Sequence, residues 1–178
     1  NYAMIHKDSS ILILESGTTS LRKVKISGGG RCNLTNACFN LKEFVQNYPR
    51  GYRELLGPLH EFGPREIINW FETHGVKTKT ESDRRVFPAS NDSSSIISCL
   101  QNTAERYGIK IRKSSKVIAI SSSEDGFNIE IDGRDSIRTS KVALATGSAT
   151  DGHNIAASLG HKIAPPCPSL FTFKTNQE

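Results

Sequence analysis

The sequence is poor in the groups from which several classes of protein are built. Its 178 residues hold only four cysteines, one methionine and one tryptophan. Cys32, Cys38, Cys99 and Cys167 form no CxxC pair and match none of the common zinc spacings, so a structural zinc site is not indicated. So few cysteines in a chain of this size do not make a disulfide framework either. That points to a reducing, intracellular compartment, cytosolic or organellar, with each thiol serving as a small buried hydrophobe. No uncharged apolar run approaches the ~18 residues of a bilayer-spanning helix, which excludes an integral membrane protein of that type. The opening NYAMIHKD lacks the charged-then-apolar pattern of a secretory leader and does not begin with methionine, so a fragment or a processed product is expected. His6, His60, His74, His153 and His161 are scattered and build no Ser-His-Asp or metal pattern. There are no internal repeats and no low-complexity tracts.

What is present is the material of a folded domain. The chain is 36% hydrophobic and 23% charged, enough apolar residues for a core, and its length suits one domain. The balance of 23 Lys+Arg against 18 Asp+Glu gives +5 and raises the question of a nucleic-acid partner. No recognition helix, RNP aromatics or zinc knuckle accompanies that charge, and the basic residues are interleaved with acids, so nucleic acid is not the expected partner.

Along the chain, Ser10–Glu15 (SILILE) is a continuous apolar run ending in an acid and suits a parallel strand buried on both faces. Arg22–Ile26 alternates polar and apolar residues and leads into the loop SGGGRCNLTN (27–36). Helices are expected at about Leu41–Asn47, Tyr52–Glu61 and Arg65–His74. The last has Pro64 at its start, Ile67, Ile68 and Phe71 on one face, and Gly75 as its stop. Short strands at Val76–Lys79 and Arg85–Phe87 flank the turn-like Ser82–Arg84. A strong amphipathic helix over about Asp92–Tyr107 carries Ile96, Ile97, Leu100, Ala104 and Tyr107 on one face, and Gly108 and the strand Ile109–Ile111 follow. Lys116–Ser121, Phe127–Ile131 and Ser136–Arg138, separated by EDG and DGR, read as a β-meander. Lys141–Ala145 (KVALA) reads as another buried strand, followed by a helix over Asn154–Leu159 and an apolar SLFTF at Ser169–Phe173.

Three features fall in a suggestive order: an apolar strand ending in Glu15, a glycine-rich loop with a guanidinium (Gly28, Gly29, Gly30, Arg31), and a late strand ending in Ala145-Thr146-Gly147. In dinucleotide-binding folds an acid at the end of the second strand accepts from ribose hydroxyls, about 20 residues beyond the glycine turn that holds the pyrophosphate. Only 14 residues precede Glu15, so such a turn is expected upstream of Asn1. Taken alone, Glu15 reads first as a solvated acid capping a strand. Consecutive glycines let backbone N–H groups approach a ligand, and Arg31 adds a fork suited to an anion. The plain alternative is a flexible turn with a surface arginine. No Gly-Lys-Ser/Thr follows, so this is not a Walker loop.

The stretch RKVKISGGGRCNLTN (22–36), with RRVFPAS (84–90) and the later ATGS…DGHNIAASLGHKIAPPCPSLFTF, resembles the YhiN/BaiN-like flavoproteins, aminoacetone-oxidase-like NAD(P)/FAD-dependent oxidoreductases, along essentially the whole chain. The resemblance implies an α/β fold of the two-dinucleotide-binding type, FAD as cofactor with NAD(P)H as a possible reductant, and a small-molecule substrate. Carried over residue by residue, Glu15 matches the acid on the adenosine ribose. Gly28, Gly29, Gly30, Arg31, Cys32 and Asn33, with Ser27 beside them, match the loop near flavin and pyrophosphate. Arg22 and Lys23 lie beside that motif, where a dianionic pyrophosphate benefits from them. Val117 matches the position whose backbone meets adenine, and Ala145, Thr146 and Gly147 match a turn passing close to the cofactor. Arg85 belongs to a motif whose role the resemblance does not supply, and no catalytic residue is assigned. The expected organisation is a partial Rossmann-like FAD-binding domain over 1–147, with a helical insertion at about 41–75 and an antiparallel meander at about 116–139. Residues 148–178 would then connect into a truncated substrate domain. The competing reading is a non-catalytic remnant that keeps the sheet and serves only as a binding or interaction domain.

Overall fold

A computed structural model describes residues 2–167 of the chain, so the expected strand at Ser169–Phe173 lies outside the described residues. The chain divides into two compact units between Lys113 and Ser114.

The first unit begins with α1 (Tyr2–Ile5), β1 (Leu12–Leu14) and α2 (Arg22–Ile26), then a 3-10 turn over Ser27–Gly30 and β2 (Thr35–Asn36). The helical segment follows as α3 (Leu41–Phe44), a 3-10 turn at Val45–Asn47, α4 (Tyr52–Glu61) and α5 (Pro64–Thr73). Then come β3 (Thr78–Thr80), β4 (Arg85–Pro88), α6 (Ser93–Arg106) and β5 (Lys110–Arg112). β1 pairs with β5 in parallel, Leu12 opposite Lys110 and Leu14 opposite Arg112. A separate antiparallel sheet has the order β2-β4-β3.

Local chemistry explains the helix starts. The Asn40 side chain accepts from the backbone of Lys42 and Glu43 and caps α3. Pro64 opens α5, and Glu66 reaches back to accept from the Gly63 N–H at 3.0 Å. Asp92 caps α6 by accepting from Ser94 N at 2.8 Å. Gly108, at φ 65°, lets the chain turn out of α6 toward β5.

The main core of this unit is built by Cys32, Val76, Ile96 and Cys99, with Val24, Leu34, Trp70, Phe71 and Leu100 packed against it. The buried face of α6 is thus rotated toward Cys99 relative to the sequence expectation, and Ile97 is only half-buried. Burial pushes the Cys99 thiol up.

Four sequence expectations need correction. Arg22–Ile26 forms a helix rather than an extended segment, because five residues are too few for a period of 2 to be told from one of 3.6. β3 begins two residues later than expected, which releases Val76 into the core. β1 is not buried on both faces. It has one strand neighbour among the described residues, and Ile13 is 44% exposed. Burial on both faces needs a covering layer on each side of a wider sheet.

The second unit holds β6 (Val117–Ser123), β7 (Gly126–Ile131) and β8 (Arg134–Thr139), an antiparallel meander in the order β6-β7-β8. It turns at the two glycines foreseen, Gly126 and Gly133, both at positive φ. Ile120, Ile129 and Ile131 are its buried residues. α7 (Thr150–Ser158) packs on β6. The fourth correction falls here. Lys141–Ala145 is not a strand and is largely exposed, since apolar composition makes burial favourable but a strand also requires a partner ladder for its N–H and C=O groups.

Candidate cofactor-binding loops

The SGGGRCN loop has a specific shape. Gly28, Gly29 and Gly30 all take positive φ (56°, 67° and 85°), and Cys32 does so as well at 61°. These are conformations that glycine adopts without steric cost and a buried cysteine does not, so the loop has to be held by its surroundings. The turn is closed from within by Cys32 N donating to Ser27 O at 3.0 Å, and Ser27 Oγ donates to Val24 O at 2.9 Å.

The rest of the support comes from about fifty residues downstream. Leu34 N donates to Val86 O at 2.8 Å, Ala37 N donates to Arg84 O at 2.7 Å, and β2 pairs with β4. With its amide nitrogen turned toward the two carbonyls, Asn33 donates to Val86 O at 3.2 Å and Thr35 O at 3.0 Å. A methyl group added to Gly28 would stand 2.7 Å from Asn33 N and 3.1 Å from the Phe87 ring. One added to Gly29 would meet nothing within 4 Å. The loop is therefore packed tightly on its Gly28 side and open at Gly29.

Phe87, wholly buried, is the platform for this arrangement. The Arg31 guanidinium lies 3.9 Å from its ring centroid and that of Arg85 5.3 Å. Arg31 Nη1 donates to Glu81 Oε1 at 2.6 Å. Arg85 donates to Asp83 Oδ2 at 2.6 Å, and its other arm lies 3.5 Å from Glu81. Lys79 stands 3.8 Å from Glu81, and Arg84 pairs with Glu43 at 2.9 Å. The hydrogen bond from Arg31, aided by the charges of Lys79 and Arg85, holds the Glu81 carboxyl below its ordinary range. The backbone N–H and guanidinium of Arg85 do the same for Asp83. Arg85, to which the sequence assigned no role, shares Glu81 with Arg31 beside one buried ring. Sequence reading missed Glu81 and Asp83. Their signal was their place in TESDRRVFP, acids just ahead of the marked arginines.

Glu15 stands at the end of β1, its N–H continuing the ladder to Arg112 O at 2.9 Å. Its carboxylate accepts from Gly17 N at 2.7 Å, which orients the side chain while leaving lone pairs for a further donor. Arg22 and Lys23 are exposed on α2. In the second unit, Val117 is half-buried and lines a cleft of about 350 Å³ between β6 and α7, which the Lys116–Asp151 pair (3.0 Å) also lines. Ala145, Thr146 and Gly147 are exposed. Thr146 O accepts from Ala149 N at 3.3 Å, and the Thr146 side chain fills the space in front of Gly152, where any Cβ would overlap it.

With this geometry the comparison with known families is specific: the description "HI0933-like protein Rossmann domain" matches residues 2–170. The chain belongs to that family. These HI0933-like proteins are the YhiN/BaiN-like flavoprotein oxidoreductases to which the glycine-rich motif pointed, and the mixed α/β architecture with a parallel pair agrees. This HI0933-like chain is 29% identical over 177 residues to the 3-dehydro-bile acid delta(4,6)-reductase of Clostridium scindens, covering 96% of this chain and 42% of that protein. It is 25% identical over 154 residues to the ribosomal RNA dihydrouridine synthase of Escherichia coli, covering 86% and 37% respectively. The chain thus spans about two-fifths of the length of these relatives. A crystal structure of halogenase PltM in complex with phloroglucinol and FAD is similar over 89% of this chain and 33% of its own, at 14% identity and a TM-score of 0.40, a likeness that carries no argument about function.

The residues present fit a flavin dinucleotide. Gly29 is exposed, left-handed and unobstructed, so a bulky anion can approach the backbone there, and the adjacent guanidinium suits a pyrophosphate. No helix among the described residues is long and apolar enough to cross a membrane.

Proposed function

We propose that this chain is the FAD-binding part of a flavin-dependent oxidoreductase, with NAD(P)H as the reductant and a small organic molecule as the substrate. The observation that carries the reading is the glycine-rich loop, held rigid by β4 yet open at Gly29, in a chain of the HI0933-like family. When bound, the flavin supplies the hydride chemistry; the protein's part is binding, orientation and electrostatics. In the first unit, the Gly28–Gly30 backbone and Arg31 would stand beside the pyrophosphate, and Glu15 would accept from the ribose hydroxyls.

The names of the two relatives suggest the reaction class. A delta(4,6)-reductase and a dihydrouridine synthase both imply hydrogenation of a carbon–carbon double bond, so we take that as the reaction of the whole protein. A small molecule is preferred to RNA as the substrate because the basic residues are interleaved with acids along the chain, and Arg84 and Arg85 are each paired with a carboxylate.

The test is the visible spectrum of the purified chain after incubation with FAD and gel filtration. Flavin absorbance travelling with the protein supports the reading. A folded, colourless chain that ignores FAD overturns the claim that these residues hold FAD by themselves and favours a non-catalytic binding domain for this chain. Anaerobic bleaching of the bound flavin by NADH or by NADPH then identifies the reductant.

A further inference from the structure

The charged cluster on Phe87 contains more than a surface ion pair requires. Three cations, Arg31, Lys79 and Arg85, come within 4 Å of the single carboxylate of Glu81. Of these, Arg31 makes the short contact, 2.6 Å, while Arg85 has its own short partner in Asp83. Glu81 is fixed independently of its side chain, because its N–H donates to Arg85 O at 2.9 Å and its carbonyl accepts from Arg84 N at 2.9 Å across the β3–β4 turn. The carboxylate is thus held rigidly by a hairpin, and the arginine it holds belongs to the glycine-rich loop.

A guanidinium carries five donors in one plane. Glu81 engages Nη1 alone among those of Arg31, and the guanidinium carbon lies over the Phe87 ring, 3.9 Å from its centroid. Among the described residues nothing accepts from Arg31 Nε or Nη2, and its side chain is 32% exposed. An arginine lying over a ring and held by a carboxylate at one corner has fewer rotamers open to it, and Arg31 directly follows Gly28–Gly30 in the chain. A free arginine on an exposed loop would lose that rotamer freedom only on meeting its ligand, at a cost in affinity.

We propose that Glu81 is a positioning residue: it tethers Arg31 against Phe87 and presents the remaining guanidinium donors to the pyrophosphate of the dinucleotide. This rests on the FAD reading above and adds a residue to it that touches no cofactor atom. Glu81 acts through Arg31, and its effect therefore vanishes when Arg31 is gone.

The experiment measures two things on the whole chain: FAD affinity by quenching of flavin fluorescence, and amide hydrogen exchange of residues 27–34 without FAD. The variants are Glu81→Gln, Arg31→Gln, the double variant, and the charge swap Arg31→Glu/Glu81→Arg. Glu81→Gln is expected to weaken FAD binding about tenfold, the size of one charge-assisted hydrogen bond, and to speed exchange in residues 27–34 but not in β6–β8. In the Arg31→Gln background it is expected to leave FAD affinity unchanged, and to change exchange in residues 27–34 less than it does in the unaltered chain. The swap restores the tether and so the slow exchange, but it puts a carboxylate on the loop and leaves FAD binding weak.

Additive losses in the double variant, or unchanged exchange and affinity in Glu81→Gln, overturn the proposal. If the unaltered chain takes up no FAD, the cofactor reading fails. The exchange data then decide separately whether Glu81 tethers Arg31. If the unaltered chain binds FAD and Glu81→Gln binds it as tightly, the positioning role alone fails.

Discussion

The two segments that the sequence marked for the cofactor differ sharply in how the fold treats them. SGGGRCN in the first unit is clamped by β4, stacked on a buried phenylalanine and anchored through Arg31 to Glu81. Lys141–Gly147 in the second unit forms neither helix nor strand and is largely exposed, and the contact of Thr146 with Gly152 and the turn at Ala149 shape its end. The first segment finds its hydrogen-bonding and packing partners inside its own unit; the second carries apolar residues with no partner strand among the described residues. A motif is preorganised only where its supporting residues fold beside it, however distinctive its own letters are.

The contrast can be broken most forcefully at Phe87. Replacing a wholly buried phenylalanine by alanine typically costs about 3–5 kcal/mol, and Phe87→Ala is expected to lie in that range and to loosen the glycine loop. Denaturant unfolding measures the loss, and amide exchange of residues 27–34 localises it. If the loop's protection survives, the platform role of Phe87 is wrong.

Next come the glycines of the loop. Gly28→Ala combines left-handed strain with the clash against Asn33 and Phe87, for about 2–3 kcal/mol. Gly29→Ala bears the strain alone, about 1 kcal/mol. Equal losses at the two positions would show that conformation matters there and space does not. In the second unit, Gly152→Ala forces Thr146 aside but gains about 1 kcal/mol of helix propensity. Because the Thr146 turn is exposed and free to give way, the net change is expected to be smaller than at Gly28, and Thr146→Gly is expected to relieve it. A loss at Gly152 matching that at Gly28 would mean that the second segment is as firmly held as the first.

The smallest effects are those of pH, and their signs oppose. Glu81 and Asp83 have carboxyls lowered from ordinary values of 4.5 and 3.8, so their stabilisation is present above those values. It is lost as the pH falls below them through the folded values. Lys116 is raised from 10.5 by the hydrogen bond and charge of Asp151, so its contribution is present below that value and lost as the pH rises through the folded one. Amide exchange across pH is therefore expected to loosen the β2-β4-β3 sheet at the acid end and the β6–α7 contact at the alkaline end. Glu81→Gln/Asp83→Asn flattens the first response and Lys116→Met the second.

Much of the architecture could be read in advance where a local signal sufficed. Pro64 and Gly75 bounded α5, Asp92 capped α6, and the glycines of EDG and DGR placed both turns of the meander. Reading failed where a segment's fate depended on distant neighbours. LIL and KVALA look alike as apolar runs, yet one pairs with β5 and the other with no strand among the described residues. The carboxylate partners of Arg31, Arg84 and Arg85 were likewise not legible, because Glu81 and Glu43 lie about fifty and forty residues from Arg31 and Arg84 in the chain.

The absence of cysteine pairs, metal spacings and long apolar runs left few classes open, and the unusual SGGGRCN string selected among them. Covalent sequence alone determined that much, because three consecutive glycines permit left-handed backbone that other residues avoid, and the arginine after them supplies a planar set of donors. Only the tertiary structure decided that this string and RRVFP, some fifty residues apart, form one object. The reason is that β-pairing, ring stacking and the Arg31–Glu81 contact depend on which surfaces meet in space, and sequence spacing does not encode that.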